Sequence, residues 1–357
     1  MKTLGIDPGT VTIDVCGLDD GGVFLDRAVP TEEVGREPGA FIEILRKAGA
    51  ELIAGPSGYG VPLVRVEDVS DEALRLAFLA RSGEGGGIMG MRALVRALAE
   101  AKLPVVLTPG VVHLESVPEH RKINRVDMGT ADKLCAAALG IHSQMLRREC
   151  AASEVSFILL ELGGAFTAAI AVSNGRVVDG IGGTSGPIGA RSAGALDGEV
   201  AFLAGEISKS LLFQGGVATI FGDGSGVWHR LDDRTDLRAR VARAALIEGA
   251  EKAVAALTVS VPRPHEILLS GRGTRITSIE RELDERLARY APVSLLAGRA
   301  RVAKQAAEGA ALIANGLAGG SCTELVTTLG IRDARGSVLD HLHVVTPGQA
   351  RERLGLR

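Results

Sequence analysis

An acid at the end of an apolar strand, one residue before a glycine, is a pattern that can serve phosphate chemistry. Glycine lets backbone N–H groups come close to phosphate oxygens, and a neighbouring hydroxyl can add a donor. The acid itself would repel phosphate, but it can hold a hydrated magnesium ion that bridges phosphates. The sequence offers this pattern at Leu4-Gly5-Ile6-Asp7-Pro8-Gly9-Thr10. It offers it again at Leu159-Leu160-Glu161-Leu162-Gly163-Gly164, with Thr167 close behind. Each copy continues into an apolar-rich run, Val11 to Leu18 or Ala165 to Val172. Each run meets a polar turn, Asp19-Asp20-Gly21-Gly22 or Ser173-Asn174-Gly175, and then a strand that ends in Asp26 or Asp179. Two such turns facing one another would clamp a metal-bound polyphosphate, with Asp7 and Glu161 as the acids near the metal. The plainer alternative is a pair of hairpin turns with solvated acids.

The elements that must position these turns follow from the same pattern. Strand, turn, strand, turn, strand is a hairpin signal, so each turn opens a β-meander. Beyond the first meander, Pro38 to Ala48 reads as a helix with Phe41, Ile42, Ile44 and Leu45 on its apolar face. Glu51 to Ala54 is a short buried strand that runs into Gly55-Pro56-Ser57-Gly58-Tyr59-Gly60. Open α/β sheets bind ligands beyond the carboxyl ends of their strands. Ser57, Gly58 and Tyr59 are therefore candidate substrate contacts, with an ordinary turn as the alternative. Asp71 to Ala80 and Met91 to Ala101 are helical by spacing around a Gly83 to Gly87 break, and Pro104 to Leu107 is a strand. The polar stretch His113 to Arg125 leads into Val126-Asp127-Met128-Gly129-Thr130-Ala131-Asp132-Lys133 and a helix through about Leu146.

In the second half a loop from Gly180 to Gly189 precedes Ala190-Arg191-Ser192-Ala193-Gly194. Helices are expected over Glu199 to Ser210, Asp233 to Leu257 and Val302 to Leu317. A strand over His265 to Leu269 ends at Ser270-Gly271-Arg272-Gly273, and Val293 to Leu296 is a last short strand. Strands alternating with helices after the hairpins predict α/β layers with mixed sheets. The expected division is residues 1–150 and 151–320, joined by a linker at 149–155, with a tail over about 321–357 that packs back on the first unit.

Bulk properties narrow the function. At 357 residues the chain exceeds the usual range of a single core, in keeping with two domains. Aromatics at 3% argue against base-stacking platforms, and a net charge of −3 leaves no electrostatic footprint for a polyanion, so no nucleic-acid partner is expected. Cys16, Cys135, Cys150 and Cys322 have no CxxC spacing and read as free thiols of a reducing compartment. Met1-Lys2-Thr3 runs straight into the first strand, which predicts no signal peptide, and no apolar run reaches the roughly 18 residues of a membrane span. A cytoplasmic protein with no membrane partner is the expectation. No G-x-x-x-x-G-K-[ST] loop is present, and Gly222-Asp223-Gly224-Ser225-Gly226 reads as a plain turn. His113 and His120, or His341 and His343, lack the spacing of a zinc site.

Taken together, Gly5 to Thr10, Gly163-Gly164 and Ser270-Gly271-Arg272-Gly273 resemble a known set of loops. These are the two phosphate loops and the adenosine loop of the acetate kinase, sugar kinase, heat-shock chaperone and actin superfamily, the ribonuclease H-like ATPases. Order and separation match over nearly the whole chain. The stretch from Ala307 to Gly320 resembles the closing helix of butyrate kinases. Pro56 to Gly60 and Asp127 to Lys133 are similar to stretches of the mostly archaeal predicted butyrate kinase family. The resemblance implies two similar actin-like ATPase domains with ATP and Mg2+ in the cleft between them. It places Asp7 near the magnesium, Gly9 and Thr10 near the phosphates, and Gly163 and Gly164 around the β- and γ-phosphates. Thr167 joins that second loop, and Ser270, Gly271 and Gly273 border adenosine. Glu161 departs from the aspartate of many relatives, giving a longer reach to the metal. Gly-Arg-Gly replaces Gly-Gly in the adenosine loop, so Arg272 either packs on the base or points away.

The acceptor is the open question. A hydroxyl acceptor needs a general base, which contributes about 10²–10⁴-fold, and Asp127 and Asp132 are the candidates. A carboxylate acceptor is already a nucleophile and instead needs a cation to offset repulsion, ideally an arginine fork. Arg191 fits that role, in a segment with a faint likeness to acetate and butyrate kinases, and Arg121, Lys122 and Arg125 are further cations. Each candidate has a structural reading too: Asp132 lies in the first turn of a helix capped by Thr130, where acids are favoured anyway. Arg191 could simply brace its loop. The expected function is an ATP- and magnesium-dependent kinase acting on a short carboxylate, in a homodimer as is common in that group. The alternatives are an ATP-binding conformational switch read by a partner protein, and a kinase with a hydroxyl acceptor.

Overall fold

The structure, a computed structural model, describes residues 1–9, 11–20, 22–81, 91–222, 226–233 and 235–356. Thr10, the Gly83 to Gly87 break and the middle of the Gly222 to Gly226 turn lie outside the described residues.

Eleven strands form two sheets among the described residues: β1 (Thr3–Pro8), β2 (Thr12–Asp19), β3 (Gly22–Pro30), β4 (Leu52–Pro56), β5 (Val64–Arg65), β6 (Val105–Thr108), β7 (Phe157–Leu162), β8 (Thr167–Ser173), β9 (Arg176–Ile181), β10 (Glu266–Ser270) and β11 (Val293–Leu295). The first sheet has the order β3-β2-β1-β4-β6-β5 and the second β11-β10-β7-β8-β9. The second order, reversed, reproduces the first five strands of the other: an antiparallel meander, then two parallel strands beside its first member. The likeness reaches into the register. The middle and last meander strands slip between Gly17 and Leu18 in one sheet and between Ala171 and Val172 in the other. Asp7 and Glu161 are the penultimate residues of β1 and β7, so both stand at the carboxyl ends of central strands.

The helices of seven residues or more are α1 (Pro38–Ala48), α2 (Asp71–Phe78), α3 (Met91–Glu100), α4 (Ala131–Arg148), α5 (Gly198–Ala204), α6 (Leu237–Leu257), α7 (Thr277–Leu287), α8 (Gln305–Leu317), α9 (Thr323–Leu329) and α10 (Pro347–Arg353). Alternation along β7 assigns its two faces. Ile158, Leu160 and Leu162 pack with Ala239, Leu246 and Leu283 of α6 and α7. Phe157 and Leu159 turn instead to a core shared with Val106 of the first sheet and with α4 and α8. The outer face of β1, Leu4 and Ile6, packs with Phe41 and Leu45 of α1. The two central helices therefore run between the sheets, and α4 is buried on nearly every side from Leu134 to Ile141.

Close approach in this centre depends on small side chains. A Cβ on Gly309 of α8 would lie 1.8 Å from the Cys135 carbonyl oxygen of α4. Gly309→Val must push the helices apart, and overpacking of this kind costs about 1–3 kcal/mol or more. Thermal denaturation should show the melting point lowered by several degrees; an unchanged melting point would mean the helices do not cross at this glycine.

Several helix bounds differ from the periodic reading, for local reasons. The Ala-rich helix starts at Gln305 rather than Val302, because Asp26 accepts hydrogen bonds from Arg301, Val302 and Ala303 N–H at 2.7, 3.0 and 2.7 Å and holds them in a bend outside the helix. α6 starts at Leu237, where Asp236 caps it by accepting from Arg238 N–H. α5 stops at Ala204 because Gly205 takes a left-handed φ of 68°. The tail lies against the first half: Asn124 Oδ1 accepts from His343 and Val344 N–H, and Arg351 pairs with Glu72 of α2. All four cysteines are free thiols, and no described helix is long and apolar enough to cross a membrane.

Candidate functional site

The carboxyl ends of β1, β7 and β10, the first turn of α4 and the start of α8 converge on a cleft of about 620 Å³. That volume is within the range of small-molecule sites. One end carries three acids, Asp7, Asp132 and Glu161, with Lys133 and Lys304 between them. Lys304 Nζ lies 3.4 Å from Asp7 and 3.3 Å from the buried Asp14 beside it on β2. Lys133 Nζ lies 2.5 Å from Asp132 and 2.8 Å from Glu161, so it joins the start of α4 to the end of β7. Arg191, Arg272 and Arg275 line the remaining wall with Trp228, the chain's single tryptophan.

The electrostatics of the acid end are uneven. Burial is the main influence on Asp7 and pushes its pKa up to about 6; Lys304 opposes the rise and the Asp132 charge adds to it. Burial acts the same way on Asp132, but the Lys133 charge and the bonds from Lys133 and Thr130 outweigh it and hold that carboxyl below its ordinary value. The Lys133 ammonium is stabilised well above its ordinary range, its two carboxylates overcoming burial. Asp7 is thus a buried acid short of positive charge that faces a cleft. Among the described residues no group of three or more His, Cys, Asp or Glu could hold a metal alone. Magnesium needs only one or two carboxylates when phosphates and water complete its shell, and Asp7 fits that demand. Glu161 already has its counter-charge in Lys133.

The glycine turns occupy the facing walls. Gly9, Gly163, Gly164 and Gly271 line the cleft. Gly271 has φ 92°, and a Cβ there would stand 2.4 Å from the Leu162 carbonyl oxygen, so the loop after β10 lies directly on the end of β7. Gly273 does not reach the cleft wall; a Cβ on it would meet the Trp228 ring at 2.6 Å. Thr167 and Ser270 are buried, neither lines this cleft, and their hydroxyls have no hydrogen-bond partner among the described residues.

A second cavity of about 260 Å³ adjoins the first. Pro8, Asp132, Lys133, Phe166 and Phe213 line both, so the two are neighbours across one wall. Its own wall adds Gly58, Tyr59, Phe78, Leu212, Asp127, Thr130, Thr184 and Lys209. Phe166 and Phe213 meet edge to face at 5.0 Å, Arg191 lies over the Phe213 ring at 5.7 Å, and Lys209 lies over Tyr59 at 5.3 Å.

Of the substrate-loop candidates, Gly58 and Tyr59 reach this cavity and Ser57 does not. The Ser57 hydroxyl donates to the Thr108 carbonyl and accepts from Val61 N–H, which braces the loop. Asp127 reaches the cavity but is occupied. Its carboxylate accepts from Gly129 N–H and from both the N–H and the hydroxyl of Thr184, pinning the segment before α4 to the Gly180 to Gly189 loop. Arg191 stands on the cleft side, with its N–H donating to the Ala165 carbonyl. Sequence reasoning passed over Lys133, Lys304, Lys209 and Trp228. Lys133 carried a signal in its place beside Asp132, whereas Lys304 meets Asp7 across a separation of 297 residues and carried none.

The model of one protein family, described as a protein of unknown function (DUF1464), matches residues 5–344. The chain belongs to this family. No curated protein matches the sequence. Among solved structures, the chain is similar to a propionate kinase from Francisella tularensis subsp. tularensis SCHU S4, with TM-score 0.62 and 11% identity over 86% of this chain and 98% of that one. It is also similar to acetate kinase from Entamoeba histolytica, with TM-score 0.59 and 10% identity over 81% of this chain and 86% of that one. Porphyromonas gingivalis acetate kinase matches with TM-score 0.56 and 14% identity over 81% and 88%. These likenesses establish the fold, the two-domain actin-like ATPase fold with one sheet in each domain.

Proposed function

We propose that the chain is an ATP- and magnesium-dependent phosphotransferase whose acceptor is a short carboxylate, the product being an acyl phosphate. The observation that carries the acceptor reading is the 260 Å³ cavity. Tyr59, Phe78, Phe166, Leu212 and Phe213 give it apolar walls. Its threonine hydroxyls are engaged within the protein, Thr184 with Asp127 and Thr130 with Asp132. A polyhydroxylated acceptor would find few free partners there, whereas a short alkyl chain would bury its surface. Lys209 and Lys133 on the same wall supply positive charge for a carboxylate, a role the sequence suggested for Arg191. The acetate and propionate kinases of the same fold support this reading by analogy only.

In this reading the phosphates lie against Gly9, Gly163 and Gly164, with Gly164 N–H as the donor of the second turn, because Gly9 and Gly163 N–H donate to the Thr12 and Phe166 carbonyls and shape their turns, and Gly271 and Trp228 border the nucleoside. Asp7 would hold the hydrated magnesium, which would neutralise the phosphate oxygens. The chain's own part is positioning and charge stabilisation, as phosphoryl transfer generally requires. Asp132 takes no proton from a carboxylate acceptor, which suits a carboxyl held in its charged form by Lys133.

The test incubates the protein with Mg-ATP, hydroxylamine and acetate through valerate, with hexoses in parallel. Hydroxamate and carboxylate-dependent ADP are expected, with no sugar phosphorylation. A folded sample that yields neither would remove the acceptor reading, and hexose-dependent ADP lost in Asp132→Asn would favour the hydroxyl-acceptor kinase.

A further inference from the structure

We propose that Lys133 is the cation that contacts the transferred phosphoryl group, and that Glu161 is its positioning residue. The inference rests on reading the larger cleft as the ATP site. Among the described residues, Lys133 is the one basic side chain lining both cavities. A phosphoryl group leaving the glycine turns for the acceptor must cross the wall that those cavities share. The Lys133 side chain is 15% exposed, so it is largely desolvated yet lines both cavities. Lys304, the other lysine of the cleft, is turned toward Asp7, Asp14 and the Thr12 carbonyl and does not line the smaller cavity.

Two neighbours define what the lysine can do. Asp132 has a second donor in the Thr130 hydroxyl, and it sits in the same turn of α4, so that pair is local and persistent. Glu161 comes from the opposite sheet, where its backbone is fixed by pairing to Ala168 on one side and Ser270 on the other. With the strand fixed, the carboxylate at 2.8 Å needs the full length of a glutamate; an aspartate would fall short by a methylene. The glutamate at this turn is therefore explained by reach toward Lys133. Before nucleotide arrives, Glu161 supplies an anion where a phosphate oxygen will be. On binding, Lys133 keeps Asp132 and exchanges Glu161 for an oxygen of the γ-phosphate. In the transfer itself a carboxylate oxygen of the acceptor bonds to the γ-phosphorus while the bond from that phosphorus to the β,γ-bridging oxygen breaks. ADP leaves with the electron pair, no proton moves, and the ammonium remains charged throughout.

The proposal is tested by titration calorimetry with ATP and with ADP, separately and without acceptor. Lys133→Met should weaken ATP binding by about tenfold or more, the equivalent of one charge-assisted hydrogen bond, and leave ADP affinity nearly unchanged. Glu161→Gln removes the competing anion and should raise the ATP-to-ADP affinity ratio. Because Lys133→Met leaves two acids without their cation, the double variant Lys133→Met/Glu161→Gln, which leaves only Asp132 so, is measured beside it with the same expected loss of ATP preference. A wild-type ratio in Lys133→Met or in the double variant would overturn the proposal, as would a lowered ratio in Glu161→Gln. Wild-type protein that binds ATP but phosphorylates no carboxylate would remove the acceptor reading alone, and the ratio would still decide on Lys133. Wild-type protein that binds neither nucleotide would overturn both.

Discussion

Replacing Gly164 by valine is expected to weaken ATP binding about a hundredfold or more and leave the fold intact. The two effects separate at this residue because of its surroundings. A Cβ built on Gly164 has no atom within 4 Å, and the backbone is not in the left-handed region that only glycine tolerates. The side chain would therefore enter open space, and that space is the cleft. Gly163 beside it offers no such separation, since its Cβ would stand 3.0 Å from the Phe166 carbonyl oxygen. If phosphate oxygens lie against this turn, the branched side chain displaces them from the N–H donors. Hydrogen bonds to charged groups contribute about 1.5–3 kcal/mol each, so loss of two corresponds to about a hundredfold weakening or more. Calorimetric titration with ATP reads the loss, and an unchanged melting point shows that folding is untouched. Wild-type affinity in Gly164→Val would remove the phosphates from this turn, and with them the nucleotide reading of the cleft.

The ease with which the sequence yields these turns has a physical source. A β-meander writes itself in local signals: period-two burial, polar turns, and an acid and glycine where the strand ends. Both meanders were therefore visible, and so was their likeness, which the two sheets repeat in strand order and register slip. What local pattern cannot convey is which side of a loop a side chain takes. Ser57, Thr167 and Ser270 stand in or beside the loops they were expected in, yet their hydroxyls point into the protein. Nor can it convey partners remote in sequence. The Ala-rich run of α8 follows the second sheet in the chain but lies on β1 and α4 of the first half, where Gly309 meets Cys135. That crossing delivers Lys304 to Asp7, and the start of the helix is fixed by Asp26 from 275 residues or more away. Lys133 was obscured differently. Beside Asp132 it looks like any charged residue in a first helical turn, and only the arrival of Glu161 from the other sheet gives it a second carboxylate.

Asp7→Asn is expected to stabilise the ligand-free protein at pH 7.5 while lowering phosphoryl transfer by about 10³-fold, the scale of the several kcal/mol that a bound metal's charge contributes. The stability half follows from linkage. Burial raises the Asp7 pKa from the ordinary 3.8 to about 6. Between those values the folded state retains a proton that the unfolded state has released, so stability falls as pH rises through the window. Above about pH 6 the whole penalty is present, up to about 3 kcal/mol at 1.36 kcal/mol per pH unit. Asparagine fills the same space without the charge, and Lys304 keeps Asp14 as its partner at 3.3 Å. The gain in melting point over wild type should therefore grow from about pH 4 to about pH 7 and then level off. Near pH 4, where wild-type Asp7 is protonated in the folded state, the two proteins should melt together. A variant destabilised at pH 7.5 would mean that the Asp7–Lys304 pair holds the fold together and that the acid needs no further cation. The expected opposite outcome, a fold relieved and an activity lost by one substitution, is the signature of a charge kept for its ligand. It would locate that ligand's positive charge at the end of β1, where the first of the two acid–glycine turns begins.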